Sequence, residues 1–154
     1  MVAPRFVLEG KREMPNLSDE LVRAEGLLLS GLDEEARELL ARLADAAQEY
    51  VDRNCPTTET LQWFSFPTIF ERLCYRRVER DPRELRDVGE PLDRLYADLA
   101  LACVRTLDYD AAKEALKLAV RWNPMECAYR LDLSDLFMVD GDVREALGLA
   151  FSVF

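Results

Sequence analysis

Apolar residues along this 154-residue chain recur at intervals of three and four, and no segment alternates them convincingly with polar residues. That spacing limits the fold more than any other feature. A helix with an apolar stripe along one side must cover it with another helix, so the chain is committed to helix-on-helix packing. No Asn-Gly hairpin signal competes with this reading.

The stripes and their breaks divide the chain. Residues 1–16, with Pro4 and Pro15, are expected to form an irregular lead-in. Asn16 or Ser18 caps a first helix with the stripe Leu21, Ala24, Leu27 and Leu28, broken at Ser30-Gly31. Asp33, Glu34 and Glu35 place carboxylates in the first turn of the next helix, where the macrodipole favours them. Its stripe of Ala36, Leu39, Leu40, Leu43, Ala47 and Tyr50 runs to about Asn54, before Cys55-Pro56 ends it.

Residues 59–80 are helical in composition but interrupted, with Ser65-Phe66-Pro67 predicting one helix end and a new start. Trp63, Phe64, Phe66, Phe70 and Tyr75 cluster here, as core filling or as the wall of an apolar pocket. Asp87–Pro91 reads as a connector. From Pro91 onward the pattern is regular. Leu92, Leu95, Tyr96, Leu99, Ala100 and Cys103 mark one helix, and Ala112, Leu116, Ala119 and Val120 the next, closed by Pro124. Leu131, Leu133, Leu136 and Phe137 mark a third, and Asp140-Gly141-Asp142 turns into a fourth near Val143.

Charge and side-chain inventory narrow the function classes. Thirty acidic against twenty basic residues give a net charge of −10, a field that repels phosphate backbones and makes nucleic acid a poor partner. RRVER at 76–80 is the best local basic patch, with a solvated helix face as its plainer reading. No apolar run approaches the roughly 20 residues that span a bilayer, and the N-terminus lacks a secretory pattern. The expected compartment is the cytoplasm, with no membrane partner.

Cys55, Cys74, Cys103 and Cys127 are widely spaced and the chain has no histidine, so no zinc site, other metal site or cofactor is expected. The missing histidine also removes the commonest general base and the usual nucleophile pairs. The chain is expected not to be an enzyme, with no catalytic residues. The best acidic pair, Asp140 and Asp142, lacks calcium-loop spacing, and Gly141 between them suits a turn.

Helix pairs joined by short turns invite a search for a fixed period. With Pro124 at position 32 of a 34-residue unit beginning at Asp93, Ala100 falls at position 8, Tyr109 at 17, Ala112 at 20 and Leu116 at 24. The next unit begins at Cys127, where the turn GDVREA at 141–146 matches GLDEEA at 31–36 in type and spacing. This pattern resembles the tetratricopeptide repeat (TPR), a helix–turn–helix unit. The likeness is clearest over 93–154 and weaker over 17–50. It implies an all-α fold, a TPR-like antiparallel helix-pair superhelix (α-solenoid) with an irregular middle segment. The units are 17–50, a degenerate 51–84, 93–126 and an incomplete 127–154, together one domain over 17–154. Tyr96 and Arg130 stand where the family usually has tryptophan, and glycine is missing at position 8.

The resemblance implies a concave groove lined by the first helix of each unit. In this sequence the groove residues are Arg94, Ala97, Asp98, Leu101, Val104 and Arg105, then Ala128, Leu131, Asp132, Asp135, Met138 and Val139. Ala97, Leu101, Leu131 and Asp135 occupy positions where the chaperone-binding subclass carries its carboxylate clamp, so no such clamp is expected. An apolar floor with Asp98, Asp132 and Asp135 suits a peptide or partner helix bearing apolar and basic side chains. The expected function is a non-catalytic protein-interaction scaffold. The alternative is a sensor or dimerisation domain of a longer regulatory protein, since ALGLAFSVF ends with its unit unfinished. That apolar end is expected to belong to a longer array or to be covered by another molecule, including a second copy.

Overall fold

The structure, a computed structural model, describes residues 16–154. The predicted irregular lead-in lies outside the described residues apart from Asn16. The chain is predominantly helical, in the order α1 (Leu17–Leu29), α2 (Asp33–Asn54), β1 (Leu61–Phe64), α3 (Ile69–Glu79), β2 (Glu84–Asp87), α4 (Leu92–Arg105), α5 (Tyr109–Trp122), α6 (Cys127–Val139) and α7 (Val143–Phe151). Among the described residues no helix is long and apolar enough to cross a membrane.

The six long-stripe helices form three hairpins, α1–α2, α4–α5 and α6–α7. All three turn in the same way. At the end of α1 the Leu32 N–H donates to Leu27 O and the Gly31 N–H to Leu28 O, at 2.9 and 3.1 Å. Asp108 and Leu107 repeat this pair of bonds onto Cys103 and Val104, and Asp142 and Gly141 repeat it onto Phe137 and Met138. This closure satisfies the last carbonyls of a helix and requires a left-handed residue between cap and exit. Gly31 and Gly141 supply it at φ 75° and 78°, whereas the middle turn uses Leu107 at φ 62°. Leu107 and Gly141 stand one 34-residue period apart. Asp108 and Asp142 then cap α5 and α7, accepting from the Ala111 and Glu145 N–H groups at 3.1 and 3.2 Å.

The hairpins pack in chain order. α2 lies against α4 and α5 against α6. One core joins the first two hairpins, with Leu21, Leu40, Leu92 and Leu95 fully buried at its centre. Ala36, Ala102 and Ala119 are also fully buried there, because only a small side chain fits where helix axes come close. A second core of Ala100, Cys103, Ala112, Leu116, Leu133 and Leu136 joins the second hairpin to the third. Ser134 also lies at that contact, its hydroxyl donating to Ala146 O across α6 and α7 at 2.7 Å.

The middle segment corrects the sequence reading. Residues 51–84 do not form a helix pair, and residues 61–64 are strand rather than helix. β1 and β2 pair in parallel, Leu61 opposite Glu84 and Phe64 opposite Asp87, with α3 as the crossover between them. Strands of four residues are too short to display an alternating pattern. Phe64, Phe66, Tyr75 and Leu85 form a small core of their own, with the Tyr75 ring 4.8 Å from that of Phe64 and 5.8 Å from that of Phe66. Three aromatics of the predicted cluster thus fill a core, Trp63 is half-buried and Phe70 is exposed. This β1–α3–β2 excursion leaves the stack after α2 and returns before α4, so the first and second hairpins touch although residues 55–91 separate them in sequence.

Leu107 is 74% exposed, so its side chain contributes little to the core. Leu107→Gly is expected to stabilise the fold by about 1 kcal/mol, since the left-handed penalty outweighs the extra backbone entropy of glycine. Chemical denaturation of the two proteins would show a higher midpoint for the variant.

Candidate functional site

α4 and α6 run side by side in the same direction. Asp93 meets Tyr129 near their starts, and residues 97–104 face residues 132–136 further along. Between them lies a groove of about 280 Å³. Ala97, Ala100, Leu101 and Val104 form its α4 wall, Asp132, Asp135 and Leu136 its α6 wall, and Leu116 of α5 its floor. Alanine at 97 and 100 keeps the α4 wall low. Of the predicted groove residues, the structure therefore brings together Ala97, Leu101, Val104, Asp132 and Asp135. Ala128, Leu131, Met138 and Val139 are exposed on α6 outside the depression.

Arg94 and Arg105 do not line that groove. Arg94 reaches back to Glu25 of α1, with Nε–Oε1 at 2.6 Å. Arg105 donates to Leu28 O at 2.7 Å and to Asp33 at 3.2 Å. Both arginines fasten α4 to the first hairpin. Long side chains swing to the nearest carboxylate or carbonyl, so their position on a helix wheel does not settle where the charge ends up.

Asp98 also lies outside the groove lining. Its Oδ2 is buried without a hydrogen-bond partner among the described residues. Burial, and then the charge of Glu25 beside it, push its carboxyl up to about 7, while Arg94 pulls the other way. The aspartates of the groove wall stand differently. Asp132 and Asp135 are one turn apart on α6, and burial together with the charge of Asp135 raises the carboxyl of Asp132. Neither forms an ion pair with an arginine or lysine among the described residues, so the wall presents two carboxylates to whatever enters.

A larger cavity of about 520 Å³ lies further toward the start of the same two helices. It is bounded by Ser65, Phe66 and Pro67 after β1, by Asp87 and Glu90 before α4, and by Asp93, Arg94 and Tyr129. Arg94 sits one turn before Ala97 and Tyr129 one turn before Asp132, which sets cavity and groove end to end. Burial raises the Glu90 carboxyl. The whole depression is acidic, with Arg94 as the cation on its border.

Sequence reasoning missed the residue that builds this end. Asp93 is 4% exposed, and its carboxylate accepts from Asn123 Nδ2 and the Tyr129 hydroxyl, both at 3.1 Å, and lies 3.2 Å from the Ser65 hydroxyl. Ser65 Oγ in turn lies 2.7 Å from Glu90 O, and accepts from the Leu92 N–H at 3.1 Å. Burial and the Asp93 charge raise the Tyr129 hydroxyl, which keeps it a donor. The only hint in the sequence is an aspartate in the first turn of a helix, which the helix dipole explains without any partner.

The acidic pair Asp140 and Asp142 has structural partners. Asp142 caps α7, and Asp140 meets the Lys113 ammonium. Among the described residues no group of three or more histidine, cysteine, aspartate or glutamate side chains is placed to hold a metal ion. No family model matches the chain, and no significant match is found among curated proteins or solved structures.

Two expectations follow from these carboxyls. Removing Asp93 leaves a half-buried phenol and a buried amide without their acceptor, so Asp93→Ala should cost about 2–4 kcal/mol in equilibrium unfolding. Asp98 has a folded value above its ordinary 3.8, so its contribution is favourable at low pH and is lost as pH rises through about 7. Asp98→Asn should therefore raise the urea midpoint most at pH 8, with the gain shrinking between pH 7 and pH 4. An equal gain at every pH would contradict this assignment.

Proposed function

We propose that the chain is a non-catalytic interaction scaffold, whose three hairpins stack as TPR-like units and hold a peptide or partner helix along α4 and α6. The observation that carries this reading is the groove itself. Ala97, Leu101 and Val104 offer an apolar surface, and Asp132 and Asp135 stand beside it without cationic partners among the described residues. A groove of this make-up favours a segment that buries apolar side chains and brings its own lysine or arginine. The repeated turn chemistry at Gly31, Leu107 and Gly141, and the packing of successive hairpins in chain order, support the repeat reading. In such stacks each unit covers the apolar face of its neighbour.

A second reading, a sensor or dimerisation element within a longer regulatory protein, rests on α7. Val143, Leu147 and Phe151 are 48%, 49% and 71% exposed and fall on one stripe of that helix. An uncovered apolar stripe on the last hairpin is a surface for a further partner.

Selection of short helical peptides against the immobilised protein tests the main reading. Binders should be enriched in apolar residues with interspersed lysine or arginine. Their affinity should fall about tenfold with Asp132→Asn and Asp135→Asn combined, equivalent to about 1.4 kcal/mol. Enrichment that is indifferent to those two substitutions would reject the groove as the binding surface.

A further inference from the structure

The excursion between the first two hairpins carries a surface that its own fold does not use. Tyr75 turns inward on α3, toward Phe64 and Phe66. On the other side Ile69, Phe70 and Leu73 are 75%, 70% and 59% exposed. Arg76 and Arg77 continue the same face, and with Leu73 and Arg80 they border a shallow depression. Ile69, Leu73 and Arg76 follow at helical spacing, with Phe70 and Arg77 beside them, so these five share one side of the helix, and Arg80 follows as its left-handed C-cap. The neighbouring Arg83 and Arg86 are paired with Asp81 and Glu84. Arg76, Arg77 and Arg80 form no ion pair among the described residues.

An exposed helix face with apolar residues at one end and cations at the other is a docking element. Several occupants are disfavoured. The net charge of −10 repels an anionic membrane or a nucleic acid as a whole body. Two α3 faces set against each other would bring no carboxylate to these arginines from the facing residues Ile69, Phe70, Leu73, Arg76 and Arg77. The complement of this face is present on the same molecule, because the α4–α6 groove joins an apolar floor to Asp132 and Asp135, and an acidic cavity adjoins it.

We propose that the α3 face of one copy docks into the α4–α6 groove of another, with Ile69, Phe70 and Leu73 against the Leu101 and Val104 wall and the arginines against Asp132 and Asp135. This rests on the reading of the groove as a binding surface for an apolar, basic segment, and names that segment. The contact is heterologous, so it propagates as a ring or an open chain of copies rather than closing as a two-fold dimer. The ion pairs make it weaken with salt.

Sedimentation velocity of the full chain tests the proposal, with circular dichroism confirming that each variant is folded. The wild type should show a weight-average mass above 17.7 kDa that rises with concentration and falls at high salt. The triple variant R76E/R77E/R80E and the double variant D132K/D135K should each remain at the mass of one chain. An equimolar mixture of the two should associate again, because each reversed surface then meets its complement. F70S/L73S, which keeps every charge, should also lose association. A wild type that stays at 17.7 kDa up to about 0.5 mM, where even a millimolar interface is partly populated, would overturn the proposal. So would association that survives either charge reversal, or reversed variants that ignore each other when mixed. If the wild type is monomeric yet selected peptides bind in a manner lost with D132K/D135K, the groove reading stands and only self-docking falls. If no peptide binds either, both fall.

Discussion

A carboxylate buried among four segments holds the molecule in register. Asp93 sits in the first turn of α4, and its donors come from the end of β1, from the exit of α5 and from α6. A charge withdrawn from water is tolerated only where donors surround it, so each of these contacts constrains the others. The helix N-terminus beneath it contributes a favourable dipole. Asn123, itself 1% exposed, fixes where α5 stops, and its side-chain oxygen accepts from the Met125 N–H as the chain turns toward α6. Ser65 anchors the excursion at the same point, helped by its own N–H donating to Trp122 O at 2.8 Å. Apolar packing between hairpins permits some sliding. Hydrogen bonds to one carboxylate do not.

The two acidic regions on α4 and α6 differ in kind. Around Asp93 every donor is internal, and the group is structural. Asp98 is pressed against Glu25, and burial with that neighbouring charge raises its carboxyl to about 7. Asp132 and Asp135 stand beside an apolar wall without a cationic partner among the described residues. A count of aspartates on the predicted groove face treats all three alike, yet burial and neighbours separate a half-buried acid raised to about 7 from a pair of exposed carboxylates.

Local features were legible in the sequence and long-range ones were not. The stripes of α1, α2, α4 and α5 match the buried residues, because a helix repeats its inward face every three or four positions wherever it packs. The turns at Gly31 and Gly141 could be read because glycine is the residue that takes a left-handed conformation without strain, and Leu107 hid the third. β1 and β2 were missed because each is held by a partner some twenty residues away and shows no pattern of its own. The partners of Asp93 come from residues 65, 123 and 129, which no local window contains together. Arg94 and Arg105 were placed on the correct helix, but their charges are drawn to α1 and α2.

The place where the chain leaves and re-enters the stack also sets the order in which it can assemble. Contacts between α4 and α5, and between α6 and α7, join neighbours in sequence, and the two pairs meet across a short connection. Contacts between α2 and α4 require the ends of a long intervening segment to come together first. Loop-closure entropy rises only slowly with length, so the excursion weighs little on final stability. Its weight falls on the folding rate, since non-local contacts are rewarded only after closure. Contact order thus favours early pairing of the α4–α5 and α6–α7 hairpins, whereas docking of the amino-terminal hairpin has to close the excursion first.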